Sequence, residues 1–252
     1  MKQPSEKDID SAKAYLCQRL AAELSMVRNL ESVMREAAER VVNILYAANL
    51  NPDKLEYADL PKKVQAEING VVDWLNETIY DYFLTLALYE KKDNKDVILP
   101  FILSESHGKT FEERLSDYCE KYRTELLLLV GVGLYLGLTK SALAKSIGSH
   151  LKQPYKNPDL VDGIATPITY GRGHTNSMFT AISGLTQFGI SQAWMKEQYI
   201  NNRKDGCIGW IVKRGSSIPC DLCDSMVGFH DDESELPPYH NSCCCIPIPI
   251  YI

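Results

Sequence analysis

PCDLCDSMVGFHDDESELPPYHNSCCC, residues Pro219 to Cys245, decides how this chain is read. It holds five of the eight cysteines and two of the five histidines in 252 residues. Cys220 and Cys223 have two residues between them, a spacing that lets both thiolates grip one ion from the same side. His240 and Cys243 repeat that spacing further on. Tetrahedral zinc takes four nitrogen or sulfur ligands, and these two pairs supply them. Cys245 competes with Cys243 for the fourth place, because alternate residues of an extended segment point to one side. Cys244 then faces away. The intervening acidic loop closes around the site, and His230 reads as a surface residue within it.

A closed Cys/His site of this kind staples a small fold that has too little core of its own. Two other readings stand beside it: a disulfide framework, and a catalytic metal or redox pair. A redox Cys-x-x-Cys opens a helix in a βαβ setting. Here the pair follows a strand and leads into a loop, so structural zinc is the expectation. Cys17 and Cys119, isolated on helical patterns, read as core residues.

Outward from the cluster, CIGWIVKRG (Cys207 to Gly215) reads as a short strand. IPIPIYI at the end alternates Ile with Pro, which fits an edge strand or an extended tail. HTNSMFTAISGLTQFGISQAWMKEQYINN reads as a long helix, with Thr175 or Asn176 as N-cap and a break at Lys204-Asp205-Gly206.

Residues 153–173 are rich in Pro, Gly and Asp and read as a linker or long loop. Residues 1–152 before it form a helical region, and 174–252 a C-terminal region. In the first, one helix runs from Ser5 with Ile9, Ala12, Leu16 and Leu20 inward, and Ser5 with Asp8 marks its start. A second covers Asn29 to Ala48, with Val33, Ala37, Val41, Ile44 and Leu45 inward. It ends at the turn containing Pro52.

A third helix covers about Pro61 to Tyr89, with Trp74, Tyr80 and Phe83 on a packed face. Glu90 to Asp96 reads as a solvated loop. Another helix runs from Phe111 to near Gly137, and a further one starts at Thr139. The fold class is therefore mainly α: a helical body with a small β-containing, metal-stapled C-terminal lobe.

The net charge of −6 argues against general nucleic-acid binding. The polar first ten residues carry no apolar signal core, so a reducing cytosol is the expected setting for the thiols. The longest apolar run, Leu126 to Leu138, falls short of the roughly 20 residues that span a bilayer. It reads as a buried helix whose glycines admit a neighbouring backbone.

WIVKRGSSIPCDLCDSMVG followed by PPYHNSCCC resembles the C-terminal signature of phage Mu F-like head morphogenesis proteins, the minor head proteins of tailed phages. The matching residues are Trp210, Cys220, Cys223, Gly228, Pro237, Pro238, His240, Cys243 and Cys245. Cys244 stands where the family usually has Arg, and Asn241 where it usually has Pro. Upstream, GLTKSALAKSIGSHL and the Met178-containing helix are similar in style to the family's helices. The resemblance implies a structural and assembly role in the virion head near the portal, and no enzyme. It implies the portal, scaffold or major capsid protein as partners, with packaged DNA as a further one. The location it implies is the virion, and the host cytoplasm during assembly.

Two alternatives come from other stretches. Arg172 lies between Gly171 and Gly173, with His174 next, before a helix, and such a loop can serve an anion or a nucleotide-transferring toxin module. Thr139 to Gly148 resembles the opening of a helix-turn-helix. Pro154 and Pro158 then stop the recognition helix that should come next.

Overall fold

Ser5 and Asp8 cap each other at the start of the first helix. The Ser5 backbone N–H donates to the Asp8 carboxylate at 3.1 Å, and the Asp8 N–H donates to the Ser5 hydroxyl at 3.2 Å. From this box, α1 runs from Glu6 to Ala48 as one 43-residue helix. The two helices expected here, with a gap after Leu24, are thus a single one. Nothing in that gap breaks a helix, since it contains neither Pro nor Gly. Met26 and Leu30, both fully buried, carry the apolar stripe through it.

The computed structural model describes residues 4–49, 56–89, 91–106, 108–152, 169–170, 174–175 and 177–251. Among these, α2 spans Lys62–Ala87, α3 Lys95–Leu103, α4 Phe111–Tyr135, α5 Lys140–Lys152, α6 Met178–Lys204 and α7 Asp221–Ser225. Two short strands, β1 (Thr169–Tyr170) and β2 (His174–Thr175), pair antiparallel. Three more form the C-terminal sheet: β3 (Cys207–Lys213), β4 (Gly228–His230) and β5 (Ile246–Tyr251). The fold is thus mainly helical with a small antiparallel sheet, as expected. The turn around Pro52 and nearly all of 153–173 lie outside the described residues.

The chain forms two compact units. One comprises Met1–Val27, Phe83–Phe111 and Gly184–Ile252; the other comprises Arg28–Tyr82 and Glu112–Ser183. In the second unit the inward faces of α1, α2, α4 and α5 supply Val33, Val41, Ile68, Leu75, Leu126, Leu143 and other buried residues. The buried Tyr122 hydroxyl donates to the Met34 carbonyl at 2.9 Å. Glu125, also buried, accepts the Met178 N–H at 2.9 Å, placing a carboxylate at the first turn of α6. The cap of α6 is Ser177, whose hydroxyl accepts the Thr180 N–H, rather than Thr175 or Asn176. Thr139 does cap α5, accepting the Ala142 N–H at 3.3 Å. Gly133 makes room for the Leu143 side chain and not for a backbone, since a Cβ there would stand 2.5 Å from a Leu143 methyl.

In the first unit, Phe83 and Phe111 stack at 4.0 Å between centroids. Gly189 of α6 admits them, because a Cβ would stand 2.7 Å from the Phe83 ring. Of the charged stretch Glu90 to Asp96, expected as a solvated loop, the described residues from Lys91 onward do not form one. They turn through a 3-10 segment into α3, with Lys91 and Asn94 buried. The Lys91 ammonium lies 3.6 Å from the Trp194 ring centroid. The Asn94 amide donates to Glu197 and Asn201 and accepts from Lys204, so hydrogen bonding offsets its burial. Cys17 is exposed, against expectation, because it lies on the outer face of α1; Cys119 is buried.

In the sheet, β3 is central and pairs with β4 on one side and β5 on the other. Pro247 and Pro249 therefore fall on an edge strand, where a missing donor is tolerated. Trp210 is fully buried and meets Tyr199 of α6 edge to face at 5.4 Å. Met195, Tyr199, Cys207, Trp210, Val212, Leu236 and the buried thiols Cys223, Cys243 and Cys245 make one core.

Candidate metal centre

The site is built where the chain leaves β3. Arg214 bonds both the Asp224 carboxylate and the Ile218 carbonyl, drawing the segment after the strand into a closed loop. Gly215 is required in that loop. A Cβ there would collide with the Cys244 carbonyl oxygen, so the two backbones pass in contact. Cys220 sits extended at the N-cap of α7. Its carbonyl accepts the Asp224 N–H at 2.9 Å, and the helical turn swings Cys223 inward. In place of the loop expected here, a five-residue helix forms with Cys220 at its N-cap, so what separates this pair from a redox Cys-x-x-Cys is the antiparallel sheet before it and not the absence of a helix.

The second group arrives on the loop before β5. The Cys243 N–H donates to the His240 carbonyl at 3.2 Å, and Ser242 takes a left-handed conformation at φ 62°. Gly184 of α6 admits this loop, since a Cβ there would stand 2.8 Å from the Asn241 side-chain nitrogen.

These two segments bring all five predicted donors together, in two triads that share Cys223. The donor atoms of Cys220, Cys223 and His240 lie within 4.8 Å of one another, and so do those of Cys223, Cys243 and Cys245. His240 Nε2 is 3.5 Å from Cys220 Sγ and 3.0 Å from Cys223 Sγ. Its Nδ1 lies 2.6 Å from the Asn241 carbonyl, an acceptor that holds the proton on Nδ1. The Nε2 lone pair is thereby turned toward the thiols, the arrangement found behind metal-bound imidazoles. Such a set of soft donors can hold a metal ion.

Cys220, Cys223, His240 and Cys245 line one cavity of about 300 Å³, with Cys244 at its wall; Cys243 does not reach it. Cys223 interacts with the thiols of Cys220 and Cys245, and Cys243 with that of Cys245, while the Cys243 donor also lies within 4.8 Å of Cys223. Cys244 points to the Ser242 carbonyl and joins neither triad. His230 also stays outside, half-buried between Glu235 and the Met226 carbonyl.

Burial raises the Cys223 thiol well above its ordinary range and pushes Cys245 up to about 11. Cys220 goes the other way, lowered chiefly by the Cys223 backbone N–H. The two buried donors thus hold their protons at neutral pH, and a cation bound there would have to displace them.

Sequence reasoning missed Arg19, fully buried on α1, whose guanidinium donates to the Cys243 carbonyl. The signal was present as an Arg19–Glu23 pair one turn apart on a helix face. The alternatives gain no geometry. Arg172 lies outside the described residues, and His174 is described only as the backbone partner of Tyr170. The segment after α5, where a recognition helix would stand, is also outside the described residues. Among the described residues no helix is long and apolar enough to cross a membrane. No protein-family model, curated protein or solved structure matches the chain.

Proposed function

We propose that the cluster is a structural zinc site and that the protein is a minor head, or head morphogenesis, component of a tailed-phage virion. The ligands are Cys220, Cys223, His240 and Cys245, with Cys243 packed behind them. The observation that carries this reading is the convergence of the two Cys/His segments on Cys223. They are the same segments that resemble the Mu F-like signature.

Zinc fits the donors. With Zn–S near 2.3 Å and Zn–N near 2.0 Å, a tetrahedron has S···N edges of about 3.6 Å and S···S edges of about 3.8 Å. The 3.5 Å from Cys220 to His240 matches the first; the 3.0 Å from Cys223 to His240 is shorter and has to open, and Cys245, grouped with Cys223 and Cys243, has to close on Cys220 and His240 as the ion enters. Four protein ligands and a fixed histidine tautomer suit a closed, structural ion. The role for the ion is to hold a three-stranded lobe whose own core is small. An assembly protein needs such a rigid surface more than an active site. Its partners are then the portal, scaffold or major capsid protein, with packaged DNA as a further one, in the host cytoplasm and afterwards in the virion.

The test begins with metal content and thiol count on protein purified without added zinc or chelator. One zinc per chain, with the clustered thiols unreactive until a chelator is added, is expected. Co-expression with the phage portal should then give co-purification. Metal-free protein with all thiols free would remove the zinc reading. Zinc-loaded protein that enters no procapsid would remove the head-assembly reading and leave the zinc site standing.

A further inference from the structure

The first and the last of the three consecutive cysteines share a side of the chain. Alternation on the approach to β5 sets Cys243 and Cys245 together, and Cys244 turns to the Ser242 carbonyl. Cys223, swung inward by α7, meets them from the other segment. The donor atoms of Cys223, Cys243 and Cys245 lie within 4.8 Å of one another, and Cys245 interacts with both of the others. The three residues are 3%, 2% and 2% exposed. They pack among Met195, Tyr199, Trp210 and Leu236. This triad offers sulfur only and is all but closed to water. The triad of Cys220, Cys223 and His240 differs on both counts, since His240 brings nitrogen and both it and Cys220 are half-buried.

Ligand softness separates the two sets. Zinc is borderline and takes nitrogen or sulfur in a tetrahedron of four. Thiolates select soft ions such as Cu(I), and three of them in a plane satisfy that ion. Sulfurs about 2.3 Å from an ion at the centre of their triangle stand about 4.0 Å apart. Donors that already lie within 4.8 Å of one another therefore have at most about 0.8 Å to close. The apolar shell lowers the local dielectric and favours the less charged oxidation state. Arg214, on the wall of the adjoining cavity, sets a positive charge against Cys223 and Cys245, opposing the negative charge that thiolates bring.

We propose that Cys223, Cys243 and Cys245 form a second, all-thiolate metal site that takes a soft monovalent ion of the Cu(I) class. It uses Cys243, which the zinc set leaves out, and it leaves out Cys220 and His240. It rests on the geometry of the inner triad and does not require the zinc reading. Cys223 and Cys245 serve in both sets, so Cu(I) in the inner site takes two of the four zinc ligands and displaces zinc.

The test uses full-length, metal-free protein without oxygen. Cu(I), held reduced by ascorbate, is titrated against a chromophoric Cu(I) chelator, and zinc is titrated in parallel. One Cu(I) per chain is expected. Cys243→Ala should weaken Cu(I) binding by about 100-fold or more, as loss of one ligand of a small set does, and leave zinc within about threefold. Cys220→Ser should do the reverse. X-ray absorption of the Cu(I)-loaded unsubstituted protein should show three sulfurs and no imidazole nitrogen. Cu(I) added to zinc-loaded protein should release the zinc.

Protein that takes up no Cu(I) overturns the proposal. So does Cu(I) binding that survives Cys243→Ala or is lost with Cys220→Ser, an imidazole nitrogen on the copper, or zinc retained beside it. If Cys243→Ala does not fold, the half-exposed Cys220→Ser variant and the absorption spectrum of unsubstituted protein decide the matter. Uptake of Cu(I) without any uptake of zinc leaves this site standing and sinks the zinc reading alone.

Discussion

Replacing Cys223 by serine removes the donor common to both triads, and its cost can be worked out. Structural zinc in small domains is worth about 10–16 kcal/mol. Shared over four ligands, one ligand accounts for about 2.5–4 kcal/mol, or roughly a 100- to 1000-fold loss of affinity. Cys223 is also 3% exposed, so the serine hydroxyl enters an apolar core at about 1–3 kcal/mol. The total of about 4–7 kcal/mol compares with about 2–7 kcal/mol for a domain the size of the lobe, at the usual stability per residue.

The lobe should therefore unfold at room temperature while the helices persist. Cys245→Ser should behave similarly. Cys243→Ser should show only the burial cost, and Cys244→Ser almost nothing. Cobalt substitution with hydrogen exchange over residues 207–251 reads the first effect, and far-ultraviolet circular dichroism reads the second. Cys223→Ser protein that binds one cobalt with tetrahedral absorption and keeps the lobe protected would refute the reasoning.

Three further outcomes are expected. Zinc affinity should fall steeply with acid, because Cys223 and Cys245, both raised by burial, must release protons to bind. The ion favours the deprotonated forms, so lowering the pH from 8 to 7 should weaken binding by about 100-fold or more in chelator competition; a flat profile would mean these thiols are not ligands. Tyr199→Phe removes the hydroxyl that donates to the Pro237 carbonyl at 2.6 Å in a buried setting. It should cost about 1–3 kcal/mol in urea unfolding. Gly70 and Gly189 should respond oppositely to alanine. Gly70 has open space around it, so alanine gains about 1 kcal/mol of helix propensity. At Gly189 the same gain is outweighed by about 1–3 kcal/mol of crowding against Phe83, and thermal melts of the two variants should move in opposite directions.

The helical body was legible in the sequence because caps and periodicity agree, as at Ser5 with Asp8 and at Thr139. The donor set was legible because paired soft ligands at fixed spacing have few other uses. Three features were not. The continuity of α1 was hidden because its buried face near the N-terminus sets the charged Arg19 and Glu23 among small apolar residues such as Ala12 and Ala22. Of the inward set, Ala12 is buried, whereas Ile9, Leu16 and Leu20 are half-buried. Glu90 to Asp96 reads as solvated because charge alone does not reveal that Asn94 will bond Glu197, Asn201 and Lys204. The helical turn at Cys220 was invisible because five residues are too few to show a period.

The proposed zinc site gives the thiols of the lobe two physical roles that ordinarily conflict. As neutral groups, Cys223, Cys243 and Cys245 pack like small hydrophobes against Met195, Tyr199 and Trp210. As ligands, Cys223 and Cys245 must be anions in that same core. An ion resolves the conflict by supplying charge where water cannot, and the cost of ionising buried thiols becomes a dependence of the lobe on its metal. If Cys245 is the fourth ligand, then Cys243, buried and not among the residues that line the cavity, serves packing in the zinc-bound lobe and can be replaced by alanine or valine. Cys245, one alternation further on, cannot. A Cys243→Ala protein that keeps one metal per chain, beside a Cys245→Ala protein that loses it, would separate the two roles within three consecutive cysteines. The reverse result would move the fourth ligand to Cys243 and place the ion on the inner side of Cys223.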